Sequence, residues 1–155
     1  MVWDNDIHLI VMLCPIIGLA GVEESCPYWQ QVYQDRLHRV TVKSVSDRTT
    51  PTAGVTRRVI HLQKKDQANG DIVSERTIEH YQMLSWADNT AIEENSEQFA
   101  ALNHLLNKVF ESKREKPNCP VLVHCSAGIG RTGTFLAICL MIEAIKELQK
   151  LERQT

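Results

Sequence analysis

The sequence predicts an α/β fold in which a central, mixed and partly parallel sheet is flanked by helices. Three observations lead to this class: an apolar run near the N-terminus, a middle region of alternating polar and apolar residues, and a C-terminal region with helical spacing. Strands followed by a helix, a strand and a helix indicate a partly parallel sheet. With 155 residues and no internal repeat or linker, the chain is expected to form one domain over residues 1–155.

The first expected element is a buried strand in the apolar run IHLIVML, residues 7–13. The apolar character continues to Val22, but the run is short for a membrane span and Pro15 interrupts it. The preceding residues MVWDND carry two acids and no base, which is not typical of a signal peptide. We therefore expect a strand that runs into a loop, and no membrane insertion.

The middle of the chain has the pattern of paired strands. HRVTVKSV (residues 38–45) alternates polar and apolar residues, as a half-buried strand does. VTRRVIHLQ (residues 55–63) and DIVSERTIEHYQ (residues 71–82) flank a polar loop in which Asn69-Gly70 is a strong turn signal. These two segments predict a β-hairpin.

Two later segments have the apolar spacing of amphipathic helices, and a short strand lies between them. The first covers residues 95–112, with Asn95 or Ser96 placed to cap it. Residues 120–123 predict a short buried strand, and a long helix is expected from Thr132 to about Leu151. The apolar positions are Phe99, Leu102, Leu106, Val109 and Phe110 in the first helix, and Phe135, Cys139, Ile142 and Ile145 in the second.

Composition argues against several kinds of ligand. A net charge of −2 gives no basic field for a nucleic acid or a membrane surface. The five cysteines are odd in number and include no C-x-x-C pair, so their spacing indicates neither a disulfide framework nor a zinc site. We therefore expect a protein of a reducing compartment, the cytoplasm, with no metal and no nucleic acid among its ligands.

The segment HCSAGIGR, between the last strand and the last helix, carries the chemistry. A strand–loop–helix junction presents free backbone N–H groups and the positive end of the helix dipole. Gly128 and Gly130 would let the loop curl around an anion, and Arg131 would bind two phosphate oxygens. Cys125 at the base of this loop is expected to be a nucleophilic thiolate, with the Thr132 hydroxyl beside it.

Each of these features has a plainer explanation when it is taken alone. A cysteine after a strand is most often a small buried hydrophobe, and G-x-G is often a simple turn. Their combination, with a strand before and a helix after, favours attack on a phosphate monoester.

VHCSAGIGRTG resembles the signature loop of the cysteine-based protein tyrosine phosphatases, His-Cys-x5-Arg, in its tyrosine-specific form. MVWDNDIHLIVML, CPYWQ and TIEHYQMLSWAD resemble other stretches of the same family in the same order. The resemblance covers nearly the whole chain. It implies a phosphatase-like fold, incomplete at both ends relative to the family. It also implies a signalling hydrolase that acts on phosphotyrosine in proteins or peptides without a cofactor.

The resemblance also implies a role for each matching residue. Cys125 would be the nucleophile that forms a cysteinyl-phosphate intermediate, and Arg131 would hold the phosphoryl group. Asp88 would be the general acid and then the base, Trp86 would anchor the mobile acid loop, and His124 would help to keep the thiol pKa low. The backbone amides that would bind the phosphoryl oxygens belong to Ser126, Ala127, Gly128, Ile129, Gly130 and Arg131.

The chain departs from the family's pattern in the acid loop and around the arginine. The usual Trp-Pro-Asp is Trp-Ala-Asp at residues 86–88, which predicts slower loop closure. Gln34 and Asp35 are the candidates for the acidic residue that pairs with the signature arginine. Arg39 is the candidate for a lysine that reaches toward the acid loop.

The family's substrate-stacking tyrosine loop and its glutamine loop have no counterpart in the chain, so three interpretations stay open. The chain is a tyrosine phosphatase, either a soluble enzyme or the intracellular portion of a larger protein. Alternatively, it is a pseudophosphatase-like module that binds phosphotyrosine peptides. The third interpretation is a catalytic-domain fragment that is too incomplete to fold and is inactive.

Overall fold

The computed structural model describes residues 1–19, 21–30, 32–34 and 38–154, and the side chains in these ranges except those of residues 32–34, 38 and 47. Two helices and six strands are present in these ranges. In chain order they are β1 (Leu9–Met12), β2 (Val32–Gln34), β3 (His38–Thr52), β4 (Val55–Asp66), β5 (Ile72–Met83), α1 (Glu97–Glu115), β6 (Val121–His124) and α2 (Gly130–Glu152). A single 3-10 turn, Tyr28–Gln30, precedes β2.

The six strands form one sheet in the order β2-β3-β4-β5-β1-β6. Strands β2 to β5 pair antiparallel, whereas β1 pairs in parallel with both β5 and β6. In this register Val11 of β1 lies opposite Tyr81 of β5 and Val123 of β6. The predicted mixed, partly parallel sheet is therefore confirmed.

Burial differs sharply between the neighbouring parallel strands β1 and β6. All four residues of β1 are buried, because this strand lies inside the sheet between β5 and β6. A strand covered on both faces needs a continuous apolar run, as this one has. β6 lies at the edge of the sheet and its four residues are only half-buried, so this strand is less buried than its sequence predicts.

Helix α1 begins with a side-chain cap and packs on the sheet. The Ser96 hydroxyl accepts a hydrogen bond from the Phe99 backbone N–H at 3.1 Å, so Ser96 is the cap. The apolar stripe of α1 is buried at Ala101, Leu102, Leu105, Leu106 and Val109. Helix α2 lies beside α1, with the Lys146 ammonium 4.0 Å from the centroid of the Phe110 ring.

Helix α2 begins at Gly130, two residues before the predicted start, and buries only its first half. Phe135 and Cys139 are buried as predicted, but Ile145 is exposed, which corrects its assignment to the apolar face. The other exposed large apolar residues of this helix are Leu136, Leu140, Met141, Leu148 and Leu151. Neither described helix has the length and apolar character that a membrane crossing requires.

Candidate active site

Cys125 comes directly after β6, in the loop that leads into α2. The backbone N–H of Leu13 donates to the carbonyl of His124 at 2.7 Å, which ties the start of this loop to the end of β1. The Cys125 side chain is 5% exposed. Its position is the carboxyl edge of the parallel strands, where open α/β sheets bind their ligands.

The loop after Cys125 makes its turn at Gly128, whose φ is +75°. This left-handed conformation favours glycine. Gly130 has no positive φ and already belongs to α2, so only one of the two predicted glycines makes the turn. Ile129 caps α2 without a side-chain hydrogen bond, which leaves the first backbone N–H groups of the helix available to an anion. The exposed residues of the loop are Ser126, Ala127, Gly128, Ile129 and Gly130.

The pKa of the Cys125 thiol is lowered from its ordinary value. Burial acts in the opposite direction, but the Thr132 hydroxyl, the backbone N–H groups of Thr132 and Gly128, and the charge of Arg131 outweigh it. Thr132 Oγ1 is buried and has no nitrogen or oxygen partner among the described residues, so the sulfur is the acceptor available to its proton. The site therefore favours the thiolate, which is the nucleophilic form.

The Arg131 guanidinium is held by several acceptors, although its side chain is only 3% exposed. Nη1 donates to the Trp86 carbonyl at 2.9 Å, and Nη2 donates to Glu24 Oε2 at 2.6 Å. Burial alone would lower the pKa of this guanidinium, but the hydrogen bond that it donates to Glu24 raises it. Nε is buried and has no hydrogen-bond partner among the described residues. One N–H of the guanidinium is thus available to a bound anion.

Glu24 is the acidic partner of Arg131, and the sequence did not reveal it. The candidates Gln34 and Asp35 cannot be compared with it, because Asp35 and the Gln34 side chain lie outside the described residues. Glu24 is held in place by its backbone N–H, which donates to the Ile16 carbonyl at 2.9 Å. The available signal was the acidic pair in GVEES, directly before the CPYWQ element.

The acid loop, residues 84–96, brings Trp86 and Asp88 to the same arginine. Trp86 is buried, and its Nε1 donates to the Thr90 carbonyl at 3.1 Å. Asp88 is exposed, and its Oδ1 lies 3.4 Å from Arg131 Nη2. A hydrogen bond within the loop joins the Thr90 hydroxyl, as donor, to the Ala87 carbonyl at 2.8 Å. Trp86 and Asp88, which are far from Arg131 in sequence, therefore lie beside it in the fold.

A chain of hydrogen bonds leads from the Cys125 backbone carbonyl through His124 to three further side chains. His124 Nδ1 lies 2.9 Å from the Cys125 carbonyl oxygen, and His124 Nε2 lies 2.8 Å from the Tyr28 hydroxyl. The same hydroxyl lies 2.9 Å from His80 Nε2, and His80 Nδ1 lies 3.4 Å from Arg58 Nη1. His124 is thus linked to Tyr28, His80 and Arg58 through hydrogen bonds, and its effect on the thiol pKa stays a prediction.

One assignment of protons satisfies this whole chain. Arg58 donates to His80 Nδ1, so His80 Nε2–H donates to the Tyr28 oxygen. The Tyr28 hydroxyl then donates to His124 Nε2, and His124 Nδ1–H donates to the Cys125 carbonyl. Burial, with the charge of Arg58, lowers the pKa of His80 to about 3, so this ring is neutral as the assignment requires.

The assignment of Arg39 to the acid loop is wrong. In β3, Arg39 pairs with Gln34 of β2 and Lys65 of β4, next to the turn that joins β4 to β5. The acid loop begins at the other end of β5, after Met83. The long hairpin therefore separates the two features by the length of a strand.

Comparison with known proteins agrees with this geometry. A family model described as protein-tyrosine phosphatase matches residues 1–154. The tyrosine-protein phosphatase non-receptor type 5 of Mus musculus is 33% identical over 151 residues, which are 94% of this chain and 24% of that protein. The receptor-type tyrosine-protein phosphatase eta of Gallus gallus is 31% identical over 147 residues, which are 94% of this chain and 10% of that protein.

The chain spans about a quarter or less of the length of these two relatives. The family match nevertheless covers nearly every residue of the chain, including the loop that holds Cys125 and Arg131. The chain therefore belongs to the protein-tyrosine phosphatase family.

Proposed function

We propose that the chain, as one catalytic domain over residues 1–155 or part of one, hydrolyses phosphotyrosine in proteins or peptides through a cysteinyl-phosphate intermediate. The observation that carries this proposal is the pairing of the Cys125 thiol, with its lowered pKa, and the buried Arg131, with its unpaired Nε–H. The thiolate supplies a nucleophile, and the guanidinium stabilises negative charge. The names of the relatives, tyrosine phosphatases, support this class of substrate.

In the first step the Cys125 sulfur attacks phosphorus, the S–P bond forms, and the bond between phosphorus and the tyrosine oxygen breaks. Arg131 and the backbone N–H groups of residues 126–131 stabilise the charge on the phosphoryl oxygens. Asp88, in its protonated form, gives its proton to the leaving tyrosine oxygen. Its position 3.4 Å from Arg131 supports this role, because Arg131 would hold the transferring group.

In the second step water replaces the sulfur. The Asp88 carboxylate takes a proton from water, the water oxygen attacks phosphorus, and the S–P bond breaks. The products are inorganic phosphate and the Cys125 thiolate, whose charge is stabilised by the Thr132 hydroxyl. A thiolate nucleophile survives only where thiols stay reduced, which supports the cytoplasm as the place of this activity.

The test is the release of phosphate from p-nitrophenyl phosphate and from a phosphotyrosine peptide. We expect turnover that Cys125→Ser abolishes and that Asp88→Asn reduces by about 10²- to 10⁴-fold, the usual contribution of a general acid. Glu94→Gln removes an exposed carboxylate from the same loop and should leave the rate unchanged.

Other outcomes would point away from complete catalysis. One p-nitrophenol released per chain, with no release of inorganic phosphate, would show that the first step occurs without the second. Binding of the phosphopeptide without any release would instead make the chain a binding module, and turnover that persists in Cys125→Ser would exclude the proposed nucleophile.

A further inference from the structure

Asp6, His8 and Cys119 form a cluster at the edge of the sheet opposite to the candidate active site. Asp6 and His8 lie just before β1, and Cys119 lies two residues before β6. Because β1 and β6 are parallel neighbours, the segments that enter them meet at the same edge. Among the described residues, this is the group whose nitrogen, oxygen and sulfur ligand atoms all lie within 4.8 Å of one another.

The distances within the cluster are close to those between ligands of a tetrahedral metal ion. Cys119 Sγ lies 3.6 Å from Asp6 Oδ2, and His8 Nε2 lies 3.5 Å from the other oxygen of the same carboxylate, Asp6 Oδ1. Zinc bonds of about 2.0–2.1 Å to nitrogen or oxygen and about 2.3 Å to sulfur place neighbouring ligands about 3.3–3.6 Å apart. The pair Cys119 Sγ and Asp6 Oδ2 already has this spacing, and all three ligand atoms lie within 4.8 Å of one another, so coordination requires only small movements of the side chains.

We propose that Asp6, His8 and Cys119 bind one Zn²⁺ ion or a similar borderline-soft divalent cation. A thiolate, an imidazole and a carboxylate are the ligands that zinc prefers, whereas Mg²⁺ and Ca²⁺ prefer oxygen alone. Three protein ligands leave the fourth tetrahedral position to water. On binding, the Cys119 thiol loses its proton to solvent and the sulfur bonds the metal. This site does not depend on the proposed phosphatase activity.

Arg76 determines which oxygen of Asp6 faces the cation. Its Nη2 lies 2.9 Å from Asp6 Oδ1, and its Nη1 donates to the Trp3 carbonyl at 2.7 Å. With Oδ1 held by Arg76, the oxygen available to a metal is Oδ2, which already accepts from Cys119. Metal-binding carboxylates are commonly oriented by such a second hydrogen bond.

Sequence spacing gives no sign of this site. Asp6 and Cys119 are 113 residues apart, and no C-x-x-C or H-x-x-H pair accompanies them. Only the parallel pairing of β1 with β6 brings the three side chains together.

Titration of the reduced full chain with Co²⁺ tests the proposal, because a thiolate ligand gives Co²⁺ an intense charge-transfer absorption. The Cys125→Ser variant is the starting protein, since it removes the reactive thiolate as a competing ligand. We expect one Co²⁺ per chain with a thiolate band, displaced by Zn²⁺ but not by excess Mg²⁺.

Second substitutions in that variant identify the ligands. Adding Cys119→Ser should abolish the band, and adding Asp6→Asn or His8→Ala should weaken Co²⁺ binding by at least about tenfold. Adding Cys26→Ser, at an exposed cysteine outside the cluster, should leave the band intact. A band that survives Cys119→Ser overturns the proposal, as does the absence of a band while circular dichroism shows a folded chain.

Discussion

The Cys125 thiolate and the Arg131 guanidinium share one physical difficulty, since burial disfavours both charged forms. The thiolate is stabilised by donors from its own loop, including Thr132, and their closeness in sequence made that pairing predictable. The guanidinium is stabilised by Glu24, which is 107 residues away and joins the site only through the fold. A local motif therefore reveals the donors around Cys125 but not the bond between Arg131 and Glu24.

Replacing Thr132 by Val removes the hydroxyl that faces the sulfur and should raise the pKa of Cys125. Only the thiolate reacts with iodoacetamide, so alkylation near neutral pH should slow by about tenfold or more, the effect of losing a hydrogen bond to a charged group. The midpoint of alkylation against pH should move upward. Thr134→Val changes an exposed threonine two residues along and should leave the midpoint unchanged; an unchanged midpoint in Thr132→Val would show that the hydroxyl has no such role.

The lowered pKa of Cys125 has a consequence for stability with a definite sign. Because the folded-state pKa lies below the unfolded-state value, ionisation of this thiol stabilises the fold fully at pH above the unfolded-state value. That contribution is lost as the pH falls through the folded-state pKa.

Glu24→Gln removes the charge that balances Arg131. The Gln oxygen can still accept from Arg131, so the bond is weakened rather than lost. This should lower the free energy of unfolding by about 1–1.5 kcal/mol, the difference between a charged and a neutral acceptor, and reduce kcat/KM by about tenfold or more. Urea unfolding and steady-state kinetics measure the two effects. The neighbouring Glu23 is exposed, so Glu23→Gln serves as the control. Equal behaviour of the two variants would contradict the role given to Glu24.

Among the larger elements, the acid loop is held by hydrogen bonds within the loop, by contacts to Arg131, and by bonds to Gly54 and Gln98 at its start. The Trp86 carbonyl accepts from that arginine, and the Trp86 ring donates to the Thr90 carbonyl. These contacts hold the loop in the conformation of the structure. We expect Ala87, where the family usually has proline, to allow the loop more open conformations than proline would.

Ala87→Pro should therefore favour the closed loop. Proline reduces the conformational entropy of the open loop, which should favour closure by about 0.4–1 kcal/mol and raise kcat by about two- to fivefold. Ala87→Gly increases that entropy and should lower kcat. The reactivity of Cys125 toward iodoacetamide should stay the same in both variants, because the nucleophile is unaffected. If both variants turn over at the rate of the parent chain, loop freedom does not limit the reaction.

Helix α2 shows how far an apolar pattern predicts burial. The spacing identified Phe135 and Cys139 correctly, because they lie in the half of the helix that packs beneath the site. Ile145 continues the same pattern but is exposed, since burial depends on neighbours that the pattern does not contain. The helix also starts two residues early, at Gly130, because its first turn is part of the loop.

Two substitutions on α2 test where the core ends. Phe135 is 0% exposed and Leu140 is 65% exposed. Phe135→Ala should lower the free energy of unfolding by about 3–5 kcal/mol, as large cavities in cores do. Leu140→Gln should change it by less than about 0.5 kcal/mol. Urea unfolding distinguishes them, and a large loss in Leu140→Gln would mean that this part of α2 is covered after all.

For the molecule as a whole, the parallel pairing of β1 with β6 determines the positions of the candidate active site and of the proposed metal site. It places Cys125 at the carboxyl edge of the sheet and the Asp6, His8 and Cys119 cluster at the amino edge. The α/β class and the signature loop could be predicted from the sequence, because they rest on local patterns. The Asp6, His8 and Cys119 cluster and the hydrogen bond from Arg131 to Glu24 could not be predicted from the sequence, because they depend on contacts between distant segments.

The central claim is that Cys125 forms a covalent bond to phosphorus during turnover. Its most direct test is to mix the chain with a phosphotyrosine peptide, quench with acid within one turnover, and locate the phosphate by mass spectrometry of proteolytic peptides. We predict one phosphate on the peptide that contains Cys125 and none in the Cys125→Ser variant. Phosphate release without any phosphorylated cysteine, or phosphorylation at another residue, would contradict the mechanism.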